Sequence, residues 1–173
     1  MDFAVCSNMF VESEKDTVGL ELKEIDKRES VLLKRKQIDY PKDATCDALL
    51  YLIENKKVDR RFFGLYDGGL LCGFLVVRLL REDRSWLVDR FFLDNGHRRD
   101  GYAVRALLLL IAFAKEQNTT TGGRGNEFAC SKIYAETVRG DVHLEADYRS
   151  VGFEKVREDY DEDDILLHVK NVE

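Results

Sequence analysis

The chain has 173 residues, 45% apolar and 35% charged, with one proline and a net charge of -6. That length and balance fit one domain around a single core and exclude a disordered or fibrous chain. The acidic surplus argues against nucleic-acid binding, which draws on a basic excess, and is compatible with a cationic small substrate.

Cys6, Cys46, Cys72 and Cys130 are widely spaced, with no close pair and no histidine at ligand spacing. Neither a disulfide framework nor a zinc site is expected; the cysteines read as reduced and packed as small hydrophobes. The start, Met-Asp-Phe-Ala-Val-Cys, lacks the basic flank and long apolar core of a signal peptide. The longest purely apolar run, Ala106 to Ala114, is too short to span a bilayer. These features predict a cytoplasmic protein with no membrane partner and no metal. No repeat or linker divides the chain, so residues 1–173 are read as a single domain, with 1–17 a weakly patterned lead-in.

In chain order, Val18 to Ile25 alternates apolar and polar residues, as a half-buried strand does. Helical spacing follows over Lys27 to Gln37; Pro41 ends that helix, and Ala44 to Glu54 forms another. Arg61 to Tyr66 reads as a strand, Asp67-Gly68-Gly69 as a tight hairpin turn and Leu70 to Leu80 as the returning strand. After the polar turn Arg81 to Arg84 comes a strand from Trp86 to Leu93, completing an antiparallel meander.

The second half changes character. Tyr102 to Gln117 is apolar almost all round and predicts a helix buried on much of its surface, followed by a loop from Gln117 to Glu127. Lys132 to Val138 reads as a strand. Asp141 can cap a short helix ending at Gly152, with Leu144, Tyr148 and Val151 on one face and Gly152-Phe153 as left-handed cap and hydrophobic clamp. An acidic turn, Asp161 to Asp164, leads to a last strand from Ile165 to Val169. The sum is an α/β (α+β) domain built on one mixed, mostly antiparallel sheet flanked by helices.

Chemistry concentrates at Arg98-Arg99-Asp100-Gly101-Tyr102-Ala103, between a strand and a buried helix. Such a turn exposes backbone N–H groups at a helix N-terminus, where the dipole favours anions. Gly101 permits close approach, Ala103 does not obstruct the first turn, and the arginines add charge. No Gly-Lys-Ser/Thr follows, and the glycine spacing is not that of the dinucleotide fingerprint. On its own the turn is equally an ordinary strand-to-helix connection with solvated arginines.

Together with Trp86-Leu-Val-Asp-Arg-Phe-Phe-Leu-Asp94 and Tyr148-Arg-Ser-Val-Gly-Phe153, the chain resembles the GNAT superfamily of N-acetyltransferases. Arg98, Gly101 and Ala103 match its Gln/Arg-x-x-Gly-x-Gly/Ala cofactor motif. The resemblance covers roughly Phe62 to Phe153 and is strongest to the branch containing bacterial spermine/spermidine acetyltransferases. Asp100 stands where members often carry a basic or small residue, and Asp141 where asparagine is common.

The resemblance implies acetyl transfer from acetyl-CoA to a primary amine by direct attack, without a metal, with polyamines as preferred acceptors. A peptide N-terminus or lysine is the alternative acceptor, and a non-catalytic acetyl-CoA-binding module the alternative class. It implies that Arg98, Arg99, Asp100, Gly101, Tyr102 and Ala103 hold the pyrophosphate, that the main chain of Phe91, Phe92 and Leu93 pairs with the pantetheine arm, and that Asp141 borders the cofactor. Tyr148 matches the tyrosine that protonates the departing thiolate, a role a phenol can fill at neutral pH; a packed core tyrosine is the other reading. For the base, Asp89 is the first candidate and Glu136 the second, with a structural pairing of Asp89 to an arginine such as Arg90 equally open. His97, His143 and His168 read as isolated surface or boundary residues. Pairing into a homodimer is common in the family.

Overall fold

Successive side chains of a strand point to opposite faces, and the central strands of the first half are apolar on both, with cores on each side of the sheet. The computed structural model describes residues 19–25, 59–94, 96–97, 101–120, 128–157 and 165–172. Strands β1 (Leu20–Glu24), β2 (Arg60–Asp67), β3 (Leu70–Leu80) and β4 (Ser85–Leu93) form the expected antiparallel meander. Gly68 and Gly69, with φ of 55° and 82°, make the β2–β3 turn that residues with a Cβ enter at a cost.

Helix α1 (Tyr102–Thr120) then carries the chain across the sheet, so β5 (Lys132–Val138) lies parallel to β4. Helix α2 (Val142–Ser150) leads to β6 (Glu154–Arg157), and β7 (Ile165–Asn171) inserts antiparallel between β5 and β6. Among the described residues seven strands are ordered β1-β2-β3-β4-β5-β7-β6, a mixed sheet in which only the β4–β5 pair is parallel. This is the expected fold class.

The main core joins Phe63, Leu65, Leu75, Val77, Trp86 and Val88 to the buried stripe Ala106, Leu107, Leu110, Ile111 and Ala114 of α1. Tyr148, Val151 and Phe153 extend it under α2, so both helices cover the same face. Ile25, Phe74 and Val76 form a smaller cluster on the other face, with Phe62, Leu71 and Phe92 packed against it.

The α2 termini follow the sequence closely. The Asp141 side chain accepts from Leu144 N–H at 3.2 Å. At the far end Phe153 N–H donates to Tyr148 O and Gly152 N–H to Arg149 O, both at 3.0 Å, with Gly152 at φ 86°. That is the paired-bond helix ending, and its apolar clamp is the Tyr148–Phe153 contact, centroids 5.2 Å apart.

Two elements depart from expectation. Helix α1 continues past Gln117 to Thr120 because Asn118 clamps the backbone of Cys130, its amide donating to the carbonyl and its oxygen accepting from the N–H, both at 2.8 Å. Strand β6 has no alternation to announce it; it exists because β7 offers an edge. The helices expected over 27–37 and 44–54, the lead-in 1–17, the loop segment 121–127 and the acidic turn at 161–164 lie outside the described residues. Among the described residues no helix is long and apolar enough to cross a membrane.

Candidate functional site

The parallel ladder between β4 and β5 runs only from Ser85/Lys132 to Val88/Ala135, yet β4 continues to Leu93 and β5 to Val138. The strands part there and leave a fork in the sheet. A cleft of about 300 Å³ opens beside it, lined by Phe91, Phe92, Leu93, Ala103, Asp141, His143, Leu144 and Asp147. One wall is therefore the end of β4, and the others are the first turns of α1 and α2.

The β4 wall is set from behind. Gly73 faces Leu93 across the β3–β4 ladder, and a Cβ there would fall 2.4 Å from the Phe92 carbonyl oxygen. Only a glycine lets β3 approach β4 this closely. A register shift places Val76 opposite Arg90 and Val77 opposite Val88, so Asp89 is the extra residue of a β-bulge. Bulges bend a strand and re-aim a side chain, and this one lies where β4 leaves β5.

At the α1 end, Gly101 has φ 75° and its carbonyl accepts the first helical bond, from Arg105 N–H at 3.0 Å. A Cβ at Gly101 would meet nothing within 4 Å, so the backbone faces open space. Helix α1 has no acidic residue in its first turn to oppose an anion. Arg98, Arg99 and Asp100, expected to complete this turn, lie outside the described residues.

The α2 wall brings residues that local reading did not assign to the site. His143, read as an isolated surface or boundary residue, is exposed and lines the cleft with Leu144 and Asp147. Burial, with the Asp141 charge, raises the Asp147 pKa above 3.8, while His143 opposes the rise. The spacing from Asp141 through Leu144 to Asp147 is helical and could have flagged that face.

Tyr148 is 1% exposed and absent from the cleft lining; its ring packs on Phe153 and on His168, centroids 5.2 and 5.5 Å away. Burial raises its pKa above the ordinary 10.0, and the charges of Asp141, Asp147 and Glu136 add to the effect. The phenol therefore keeps its proton at neutral pH. His168 is buried beside it, 3.0 Å from Thr137 Oγ1, and burial lowers its pKa below 6.5.

Asp89 and Glu136 immediately follow the last paired residues of the fork. Ala135 is in the main core, so Glu136 points to the face opposite the helices, where it is exposed. Asp89 reaches that face too, because its carboxylate is held by Arg60, Nε to Oδ2 2.7 Å, whereas Arg61 on the same strand turns into the core side over Phe113 and Phe128. The partner of Asp89 is thus Arg60 and not Arg90, whose side chain donates to the Asp89 main-chain oxygen. The pair is nearly buried, with side chains 9% and 15% exposed. The phenol of Tyr148 and the two carboxylates consequently lie on opposite faces of the parted strands.

Two features of the described residues are compatible with an acyl-CoA thioester. The open backbone at Gly101 suits a phosphate, and the carboxylates of Asp141 and Asp147 suit the amide N–H groups of a pantetheine arm. Among the described residues no cluster of metal-ligating side chains occurs.

A family model described as the Acetyltransferase (GNAT) family matches residues 30–153. The chain belongs to this family. It superimposes with a TM-score of 0.63 on an acetyl transferase from Salmonella typhimurium that modifies the N-terminal serine of ribosomal protein L7/L12, at 10% identity over 91% of this chain and 98% of that one. Spermidine N-acetyltransferase from Vibrio cholerae, solved in complex with CoA and spermine, gives 0.61 at 16% identity over 89% and 96% of the two chains. An acetyltransferase from Thermus thermophilus gives 0.62 at 17% identity over 90% and 98%. At these identities the likeness is one of fold. No curated protein sequence matches the chain significantly.

Proposed function

We propose that this acetyltransferase moves an acetyl group from acetyl-CoA to a small primary amine, with polyamines the first acceptors to test. The observation that supports the reading is the fork: a cleft opens beside the point at which β4 leaves β5, and Asp89 and Glu136 are the first residues past the last paired ones. Acetyl-CoA, when bound, supplies the activated acetyl thioester. The main chain of Phe91 to Leu93 orients the pantetheine arm as an added strand would, and an N–H near Phe92 or Leu93 supports charge on the carbonyl oxygen. The backbone N–H groups of Arg99, Asp100, Gly101, Tyr102 and Ala103, with the charge of Arg98, bind the pyrophosphate, and Asp141 borders the arm from α2.

The attacking amine must first lose a proton, and the departing thiolate must gain one. Glu136 is the better placed acceptor, through water, because it is exposed and Asp89 already carries a guanidinium on its carboxylate. Asp89 then holds the bulge through Arg60 and sets where the amine arrives. The Tyr148 phenol donates from the helix side, where burial keeps it protonated.

A thiol-release assay over polyamines, amino acids, aminoglycosides and peptides tests the reading. Turnover with small amines is expected, and turnover confined to peptides refutes the small-amine assignment. Saturating acetyl-CoA is expected to raise the melting temperature, since a ligand selective for the folded state stabilises it by about 2.7 kcal/mol at a hundredfold excess over Kd. A melting shift without thiol release from any acceptor supports the non-catalytic acetyl-CoA-binding module, and a folded protein with no shift removes the cofactor reading.

A further inference from the structure

Four side chains from three parts of the chain meet at the end of β4, outside the cleft lining. His97 Nδ1 lies 2.5 Å from Asp94 Oδ1, and the His97 backbone N–H donates to that oxygen at 3.0 Å. His97 Nε2 lies 3.5 Å from Asp67 Oδ2, and the Tyr102 hydroxyl donates to this second oxygen at 2.6 Å. The rings of His97 and Tyr102 stand edge to face with centroids 4.8 Å apart, and the Arg105 guanidinium covers the Tyr102 ring at 5.0 Å. Asp94 N–H donates to Cys72 O at 2.9 Å, tying the group to β3.

The members span three structural units. Asp67 ends β2, Asp94 follows β4, and Tyr102 opens α1. The imidazole stands between two carboxylates, and the hydrogen bond of Tyr102 to one of them raises the phenol pKa, so that donor keeps its proton. Charge-assisted bonds of this kind are short and hold their partners in one orientation. Their joint effect is to fix the start of α1 relative to the end of β4.

Those two elements are the walls between which the proposed function places the acetyl-CoA arm: Phe91 to Leu93 on one side, Ala103 on the other. We infer that His97 is a positioning residue for cofactor binding, holding the α1 N-terminus at its working distance from the β4 wall through Asp94, Asp67 and Tyr102. The inference rests on the acetyl-CoA reading of the cleft. It predicts control of cofactor affinity and not of turnover once the cofactor is bound.

The test compares wild type with His97→Ala, His97→Asn and Tyr102→Phe by CoA calorimetry, steady-state kinetics, and amide hydrogen exchange of the first turn of α1 without cofactor. His97→Ala should weaken CoA about tenfold, the loss of one charge-assisted hydrogen bond, with kcat at saturating acetyl-CoA within about twofold of wild type. Exchange at residues 101–106 should rise. His97→Asn, whose amide can still donate to Asp94, should recover most of the affinity, and Tyr102→Phe should move affinity and exchange in the direction of His97→Ala. CoA binding to His97→Ala as tight as to wild type, or a fall in kcat at unchanged Kd, overturns the inference. Should His97→Ala not fold, unchanged CoA affinity in Tyr102→Phe overturns it instead. A folded wild type that binds no CoA removes the cofactor reading, whereas the exchange data separately decide whether His97 holds the helix start.

Discussion

Gly73→Ala probes the β4 wall from the side away from the cleft. The added methyl would fall 2.4 Å from the Phe92 carbonyl oxygen, 2.9 Å from Leu93 Cδ2 and 3.3 Å from Leu65 Cδ1. The first of these is about 1 Å short of ordinary contact, and it involves main chain that cannot rotate aside. Overpacking of this kind costs about 1–3 kcal/mol. For a chain of this size each kcal/mol shifts Tm by roughly 2–4 °C, so a fall of about 2–12 °C is expected. Relief must come from displacing Phe92 and Leu93, which line the cleft, so CoA affinity should drop together with stability. Urea unfolding gives the first quantity and calorimetric titration with CoA the second. Gly68→Ala is the control: its φ of 55° carries a conformational cost of about 1–2 kcal/mol, but no atom lies within 4 Å of the new methyl. A Gly73→Ala protein that melts and binds CoA like wild type refutes the reasoning, as does equal loss of CoA affinity in Gly68→Ala.

Tyr148→Phe should lower turnover by about 10²–10⁴-fold at near-normal CoA affinity, measured by thiol release at saturating substrates; unchanged turnover would return Tyr148 to a packing role. Asp89→Ala strands the nearly buried Arg60 guanidinium and should cost about 3–5 kcal/mol in urea unfolding. Glu136→Gln, at an exposed position, should leave stability near wild type but reduce kcat, and the opposite pattern would exchange the two roles. Because burial lowers the His168 pKa, the unfolded chain takes up that proton first as pH falls; this stability is full above about pH 6.5 and declines on acidification below it. His168→Gln should therefore show a smaller Tm loss between about pH 7.5 and pH 5.5 than wild type, and equal losses would exclude His168 as a cause.

Much of the fold was legible because its signals are local. The alternation around Leu20 to Glu24, the glycines after Asp67, the Asp141 cap and the Gly152-Phe153 ending each act within a few residues, and all stand where the sequence places them. The departures have long-range causes. Helix α1 outlasts its apolar run because Asn118 finds Cys130, twelve residues on, and β6 owes its existence to a neighbouring edge.

The residue types of the candidate site could also be read from the chain: a glycine-led helix start at Gly101 to Ala103, a tyrosine on α2, and carboxylates on β4 and β5. Their working relations could not. The pairing of Asp89 with Arg60 spans 29 residues, that of Tyr102 with Asp67 spans 35, and neither leaves a mark in local periodicity. His97 looked isolated in the chain and stands between two carboxylates in space. The sequence by itself determined most of the described strands and helices and the caps of α2, since dihedral preference and the burial of one face are properties of adjacent residues. Tertiary structure alone decided that β4 and β5 part after Val88 and Ala135, because a fork depends on a bulge, a close approach at Gly73 and a register between strands far apart in the chain.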